Sequence, residues 1–411
     1  MTKPVQLYAW HFMSYPYLPK DFDEKYDTAW ITVPNELYDR EQSNGLLNEY
    51  IDQLAYADTI GFDGMVLNEH HQNIYGLMPS PNLLAAALTQ KTKHGKIVVL
   101  GNLLPLHGNP LRVAEEYAML DNMSGGRVVA GLAPGGGQET FNYNTPAAFQ
   151  REQFWEAVDL IQQAWTRKGP FAFEGKHYPL RYVNPWPQPT QRPHPPIWVP
   201  GARSPDTMQQ VAKRGFSYFL SSRVTGGEVA KVRTTFDSVL RQHGSKYDPF
   251  KMGMLMSVHV GETDEKAQAE SHEGVWYFLK YCLKGHLRSE KGRSMTMGAG
   301  IPNMDPRGFR QILEHSKPGG AMLGDVKDWP ELLKTQSIIV GSPDTVYKQI
   351  MGIIEQAQAG TLLIQFHMGN MPDAIARNSM RLFATEVAPR LRKDSAELFA
   401  KNYPELEAVP A

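Results

Sequence analysis

What most restricts the fold of this chain is a set of short runs that are apolar at nearly every position. They are VQLYAW (5–10), GMVLN (64–68), KIVVLG (96–101), RVVAGLA (127–133), PIWVPG (196–201), FSYFLS (216–221), GMLMSVHV (253–260) and TLLIQF (361–366). A strand with one wet face alternates apolar and polar residues. A strand apolar throughout has both faces covered, as in a parallel sheet flanked by helices. Amphipathic helical patterns lie between the runs. Leu47, Tyr50, Ile51, Leu54 and Ala55 make one stripe, ended by Gly61. Val346, Ile350, Ile353, Ile354 and Ala357 make another, ended by Gly360. Ser80-Pro81, Asn109-Pro110, Thr145-Pro146, Ser204-Pro205 and Ser342-Pro343 each precede a helical pattern. The Ser, Thr or Asn side chain accepts a bond from a free first-turn N–H, and proline has no N–H to satisfy. Strand–loop–helix units repeated in this order predict a (β/α)8 TIM barrel, with a doubly wound open sheet as the alternative.

The 411 residues read as one barrel domain over 1–411 with two long irregular insertions. One, residues 12–45, follows the first strand. The other, 285–336, is rich in Gly, Met and Lys/Arg, stands before the last helix–strand unit and reads as a lid. The proline-rich YPLRYVNPWPQPTQRPHPPIW reads as an extended connection into the fifth strand. A formal net charge of -1 gives no reason to expect nucleic acid or an anionic membrane as partner. No run of about 18 apolar residues is present, so no membrane span is expected. The start lacks the long apolar core of a signal peptide, and a cytoplasmic location is expected. The single cysteine, Cys282, excludes an intrachain disulfide and a thiolate zinc site, and its apolar helical setting marks it as a core residue.

In a barrel of this type, chemistry gathers at the C-terminal ends of the strands. His11 follows the first strand and His367 the eighth, which makes both candidates for substrate contact. Asn68, Glu69, His70 and His71 follow the second, and Asn102 the third. Glu-His-His has the composition of a metal site, but adjacent residues of an extended segment point to opposite sides, so His70 and His71 are poorly placed to share an ion. A carboxylate beside a histidine fixes its tautomer or raises its pKa, which suits proton transfer near neutral pH. His70 and His71 are therefore candidate catalytic residues, with Glu69 as their setting. Gly135, Gly136 and Gly137 follow the fourth strand and let backbone approach a ligand, although they form no dinucleotide fingerprint. GARSPDTM follows the fifth: Gly201 in a tight turn, then Arg203, then Ser204 at a helix start. A guanidinium, a hydroxyl and free N–H groups at a positive helix end suit a phosphate. Met295, Met297, Met304 and Met322 read as adaptable packing or as lining for an apolar substrate.

Four blocks, GFDGMVLNEHH, LPLHGNPLRVAEEYAMLDNMSGGRVVAGLAPG, PHPPIWVPGARSPDT and VGSPDTVYKQIMGIIEQAQAGTLLIQF, closely resemble the bacterial luciferase-like flavin monooxygenases, in the same order. The resemblance implies a barrel that binds reduced FMN (FMNH2). It makes His70 the catalytically essential histidine. It assigns the FMN phosphate to Arg203, Ser204 and Thr207. It also implies a non-proline cis peptide beneath the flavin, for which Asn102-Leu103 is the best match. One position departs: the phosphate-binding arginine expected after the fourth strand is Pro134. The implied activity is that of the oxygenase component of a two-component monooxygenase, which moves one atom of O2 onto a small organic substrate. A separate NAD(P)H:flavin reductase would be its partner, and a homodimer its assembly. A deazaflavin-dependent oxidoreductase, a non-catalytic supporting subunit and a metal hydrolase using His11, His70 and His71 are the alternatives.

Overall fold

The computed structural model describes residues 3–26, 28–31, 33–220, 226–284 and 328–404. Its strands are β1 (Gln6–Trp10), β2 (Gly64–Leu67), β3 (Lys96–Leu103), β4 (Val128–Ala133), β5 (Phe171–Glu174), β6 (Pro179–Val183), β7 (Ile197–Gly201), β8 (Ser217–Leu220), β9 (Met252–Val260), β10 (Ile338–Gly341) and β11 (Thr361–Gln365). The order β9-β11-β1-β2-β3-β4-β7-β8 closes on itself through a β8–β9 pairing, and every pair in it is parallel. The result is an eight-stranded (β/α)8 barrel, whose strands are the eight apolar runs. The open-sheet alternative is excluded by the closure.

The runs are continuously apolar because successive residues serve two cores. Inward-pointing Tyr8, Val66, Val98, Val129, Trp198 and Phe219 fill the barrel. Their neighbours Leu7, Met65, Ile97, Val128, Val199 and Tyr218 belong to the layer under the helices. Tyr8 of β1 meets Trp198 of β7 edge-on at 5.3 Å, and Trp198 stacks on Phe219 at 3.9 Å. The barrel is thus closed below by packed rings, and a ligand can enter only from the end where the strands finish.

The helix starts follow the sequence in place more than in chemistry. Ser342 Oγ accepts from the Thr345 N–H at 3.4 Å and Asn109 Oδ1 from that of Leu111 at 3.1 Å. Ser80 and Ser204 occupy cap positions without making the side-chain bond. Thr145-Pro146 precedes the single turn Ala147–Phe149, which runs directly into the helix Gln150–Thr166. Two features were not among the expected elements. β5 and β6 form an antiparallel hairpin within the β4–β7 connection, so part of the proline-rich stretch is a strand. β10 pairs with the C-terminal half of β9. Residues of both hairpin strands are mostly exposed or half-exposed, so no apolar run announces them.

The 12–45 insertion seats Tyr15, Phe22 and Trp30, each at most 2% exposed. Of the 285–336 segment only 328–336 is described, including the short helix Trp329–Lys334. The expected lid, with Met295, Met297, Met304 and Met322, lies outside the described residues. Cys282 is buried, and burial pushes its thiol up to about 12, which leaves it inert. No helix among the described residues is long and apolar enough to cross a membrane.

Candidate active site

A cleft of about 680 Å³ opens where the barrel strands end. That volume lies within the roughly 300–1,000 Å³ of cofactor and drug-sized sites. Its two sides differ in chemistry. At the ends of β1 and β2 it is lined by Trp10, Phe12, Trp30, Tyr75 and His70. The rings pack on one another: Trp10 stacks on Phe12 at 5.2 Å, Phe12 lies 4.9 Å from Tyr75, and Trp30 lies 4.3 Å from Tyr75. At the end of β7, three strands round the barrel from β2, the lining is polar, with Ser204, Asp206, Thr207 and Gln210. Leu100, Gly101, Leu103, Pro134 and Gly135 form the floor between the two sides.

The two histidines after β2 have different partners. His70 Nδ1 lies 2.9 Å from Glu139 Oε1, on the six-residue helix Gly137–Asn142. Glu139 is 1% exposed and its Oε2 also accepts the Gly136 N–H at 3.1 Å. Burial pushes the Glu139 carboxyl up, but bonding and charge from His70 outweigh it and hold it below the usual range. His71 instead donates from Nε2 to Glu69 Oε1 at 2.8 Å, and its Nδ1 lies 2.8 Å from the Tyr143 hydroxyl. Glu69 is the hub of the β2 and β3 ends. Its Oε2 accepts from Asn102 Nδ2 at 2.9 Å and from the Leu103 N–H at 3.1 Å, and His107 Nε2 stands 3.4 Å from Oε1. Burial raises its carboxyl, yet His107, His71 and Asn102 together depress it to about 2. Adjacency in sequence pairs Glu69 with both histidines. The structure gives Glu69 to His71 and supplies His70 with a carboxylate 69 positions away. The Glu at the third place after Gly136, a capping-box spacing, was the available signal for Glu139.

The phosphate candidates divide. Gly201, Ser204 and Thr207 line the cleft; Arg203 does not. Arg203 has a φ of 72° and its guanidinium bonds Glu228 at 3.0 Å, on the helix Gly226–Gln242. The left-handed turn sends its side chain outward, which composition could not show. Gly201 is required by packing, since a Cβ there would sit 2.5 Å from the Tyr218 ring. Among the described residues Arg151 is the only lysine or arginine lining the cleft, and it contacts Asp206 at 3.1 Å. Ser204 Oγ is buried with no hydrogen-bond partner. An unpaired buried hydroxyl at the start of the ten-residue helix Pro205–Arg214 fits a phosphate oxygen.

The floor brings one correction. The non-proline cis bond is Leu100-Gly101, not Asn102-Leu103. β3 shifts register against β4 between Val99 and Asn102, and a Cβ on Gly101 would lie 2.6 Å from the Gly131 carbonyl carbon. Leu103 and Gly135 still line the cleft, whereas Asn102 lies beneath it, bonded to Glu69.

The luciferase-like monooxygenase family profile matches residues 30–359. The chain belongs to this family. An uncharacterized protein, y4wF, from Sinorhizobium fredii is 32% identical, over 81% of this chain and 89% of its own. The oxygenase component of a flavin-dependent trigonelline monooxygenase from Acinetobacter baylyi is 28% identical, over 58% of this chain and 68% of its own. Among solved structures, the fold is shared with the oxygenating constituent of 3,6-diketocamphane monooxygenase from Pseudomonas putida, a type II Baeyer–Villiger enzyme in complex with FMN. That match has a TM-score of 0.68 and 23% identity, covering 95% of this chain and 98% of the other.

In this luciferase-like monooxygenase, His11 and His367 are not part of the cleft wall. Trp10 points into the barrel, so the next residue points out, toward the helix Leu46–Thr59. There His11 Nε2 lies 3.1 Å from Gln53 Oε1, its Nδ1 accepts the Met13 N–H at 2.8 Å, and its ring stacks on His367 at 4.8 Å. Among the described residues no three His, Cys, Asp or Glu side chains converge as a metal site. Burial holds His11 well below the ordinary histidine value, and burial holds His367 at about 4. Both rings are neutral in the fold and titrate near 6.5 once it opens. The unfolded chain therefore binds more protons below that pH, and stability falls as pH drops toward 4, by about 1.4 kcal/mol per pH unit for each ring. Urea midpoints are expected to be lower in mildly acidic than in neutral buffer, with a shallower dependence in His367→Asn. The same dependence in both proteins would contradict a neutral buried pair.

Proposed function

We propose that this protein is the oxygenase component of a two-component system, an FMNH2-dependent monooxygenase acting on a small organic substrate. The observation that carries the reading is the cleft itself. A phosphate-fitting helix start with an unpaired Ser204 hydroxyl faces, across the barrel mouth, an aromatic wall containing His70. Reduced FMN would supply the electrons that activate O2. Ser204, Thr207 and the first N–H groups of Pro205–Arg214 would hold its phosphate, with Arg151 as the cation that Pro134 cannot be. Trp10, Phe12, Trp30 and Tyr75 would exclude water and seat the apolar part of the substrate. His70 would hold or move the proton at Nε2. A separate NAD(P)H:flavin reductase would deliver the reduced flavin, in keeping with a relative that is itself called an oxygenase component. One lining cation among the described residues, with Asp206 and Glu152 beside it, favours FMN over a deazaflavin bearing a longer anionic tail.

The test is an anaerobic titration with reduced FMN, read by quenching of tryptophan fluorescence, since Trp10, Trp30 and Trp155 line the cleft. Ser204→Asp puts a carboxylate where the phosphate is expected, and should raise the FMN Kd by at least about tenfold, roughly 1.4 kcal/mol. An unchanged Kd would place the phosphate elsewhere. Tighter binding of a reduced deazaflavin than of FMN would overturn the cofactor assignment.

A further inference from the structure

The two adjacent histidines are wired in opposite senses, and the difference determines which has a free nitrogen. His71 is used at both ends: Nε2 donates to Glu69 and Nδ1 faces the Tyr143 hydroxyl. His70 is used at one end only. Its Nδ1 meets Glu139 at 2.9 Å, and among the described residues no hydrogen bond is made by Nε2, on a residue that lines the cleft. A carboxylate can only accept, so Nδ1 must carry the hydrogen. Nε2 is then the bare, basic nitrogen whenever the ring is neutral. A free imidazole in water favours the opposite tautomer, with the proton on Nε2, which would make the exposed nitrogen a donor.

We propose that Glu139 is the positioning residue of His70: it holds the ring with Nδ1 protonated, so that Nε2 faces the cleft as a proton acceptor. The inference rests on the reading of His70 as the proton-handling group of the cleft. Three features equip Glu139 for this task. It is buried at 1% exposure, so water does not compete for its oxygens. Its second oxygen is tied to the Gly136 N–H at 3.1 Å, which fixes the carboxylate plane. The ring it holds is braced edge-on by Trp30 at 5.6 Å and by Tyr75 at 4.8 Å, which resist rotation about the side chain. This is the arrangement of an orienting carboxylate behind a catalytic imidazole, supplied by the short helix that follows the glycine run rather than by a neighbouring strand.

The tautomer is directly visible by nitrogen NMR of the full chain labelled in its histidine rings, in alkaline buffer and without flavin. The His70 signal is assigned by its loss in His70→Gln. Wild type is expected to show His70 protonated at Nδ1 and His71 protonated at Nε2. In Glu139→Ala, His70 should revert to the Nε2–H form while His71, still bonded to Glu69, keeps its own pattern and reports that the fold is intact. Glu139→Gln, whose amide oxygen still accepts, should retain the Nδ1–H form. An Nε2–H tautomer for His70 in the wild type would overturn the proposal, whether or not the alanine variant folds. So would a Glu139→Ala protein with both patterns unchanged. None of these readouts depends on FMN, so a failure of the oxygenase reading would show separately, in the flavin titration.

Discussion

His70→Ala is expected to lower turnover by about 10²–10⁴-fold on whichever organic substrate the wild type oxygenates, while changing the reduced-FMN Kd by no more than about threefold. The asymmetry follows from the layout of the cleft. His70 stands at the end of β2 and the phosphate-fitting Ser204 follows β7, three strands away round the barrel. Removing the imidazole deletes a proton acceptor and leaves the anchoring end untouched. The change also leaves the buried Glu139 carboxylate with the Gly136 N–H but without its imidazole partner, so unfolding free energy is measured alongside turnover to separate lost chemistry from lost stability. His71→Ala offers the contrast. Its side chain is 5% exposed and lies between Glu69 and Tyr143, so its removal should act on stability more than on chemistry. The measurements are single-turnover product formation and the flavin titration, made on the same preparations. Equal losses of turnover and of flavin affinity in His70→Ala would remove the histidine from the chemical step.

Much of this could be read from the chain, and what could not be read has a common cause. Continuous apolar runs reveal barrel strands because both faces of each strand are buried, and that holds for all eight from β1 to β11. The same rule locates the residues that follow strand ends. It does not say which way they point once the pleat ends. Trp10 and His11 are neighbours, yet one lines the cleft and the other stacks on His367 beneath a helix. Arg203 and Ser204 are neighbours too, and a positive φ at the first sends its charge to Glu228. Partner choice is the second thing lost. Glu69 is beside His70 in sequence, but side chains at successive extended positions diverge, and the carboxylate that reaches His70 arrives from the short helix after β4. The hairpin of β5 and β6 escaped because most of its residues are exposed or half-exposed, and burial is what writes a pattern into sequence.

The same partner choice makes Glu69 the residue whose loss should most damage the fold. Glu69→Ala is expected to lower the free energy of unfolding by about 3–5 kcal/mol, as breaking one side of a buried charged network does. Its two oxygens serve the His71 ring, the Asn102 amide and the Leu103 N–H, all buried. Alanine leaves three donors without an acceptor where water cannot follow, each at about 1–3 kcal/mol. Glu69→Gln should be nearly as damaging, since its amide turns a donor toward donors. An independent figure points the same way. A carboxyl that falls from its ordinary 4.5 to about 2 in the fold contributes about 3 kcal/mol at neutral pH. Because the folded value is depressed, that contribution is present above about pH 4.5 and is lost as pH falls toward 2. Denaturant titrations in neutral buffer check the first claim, with an unchanged slope and a lower midpoint expected. Repeating them near pH 3 checks the second: the gap between wild type and Glu69→Gln should narrow there. A gap under about 1 kcal/mol at neutral pH would mean that the β2 and β3 ends are held together by their apolar packing alone, and that Glu69 is free for chemistry after all.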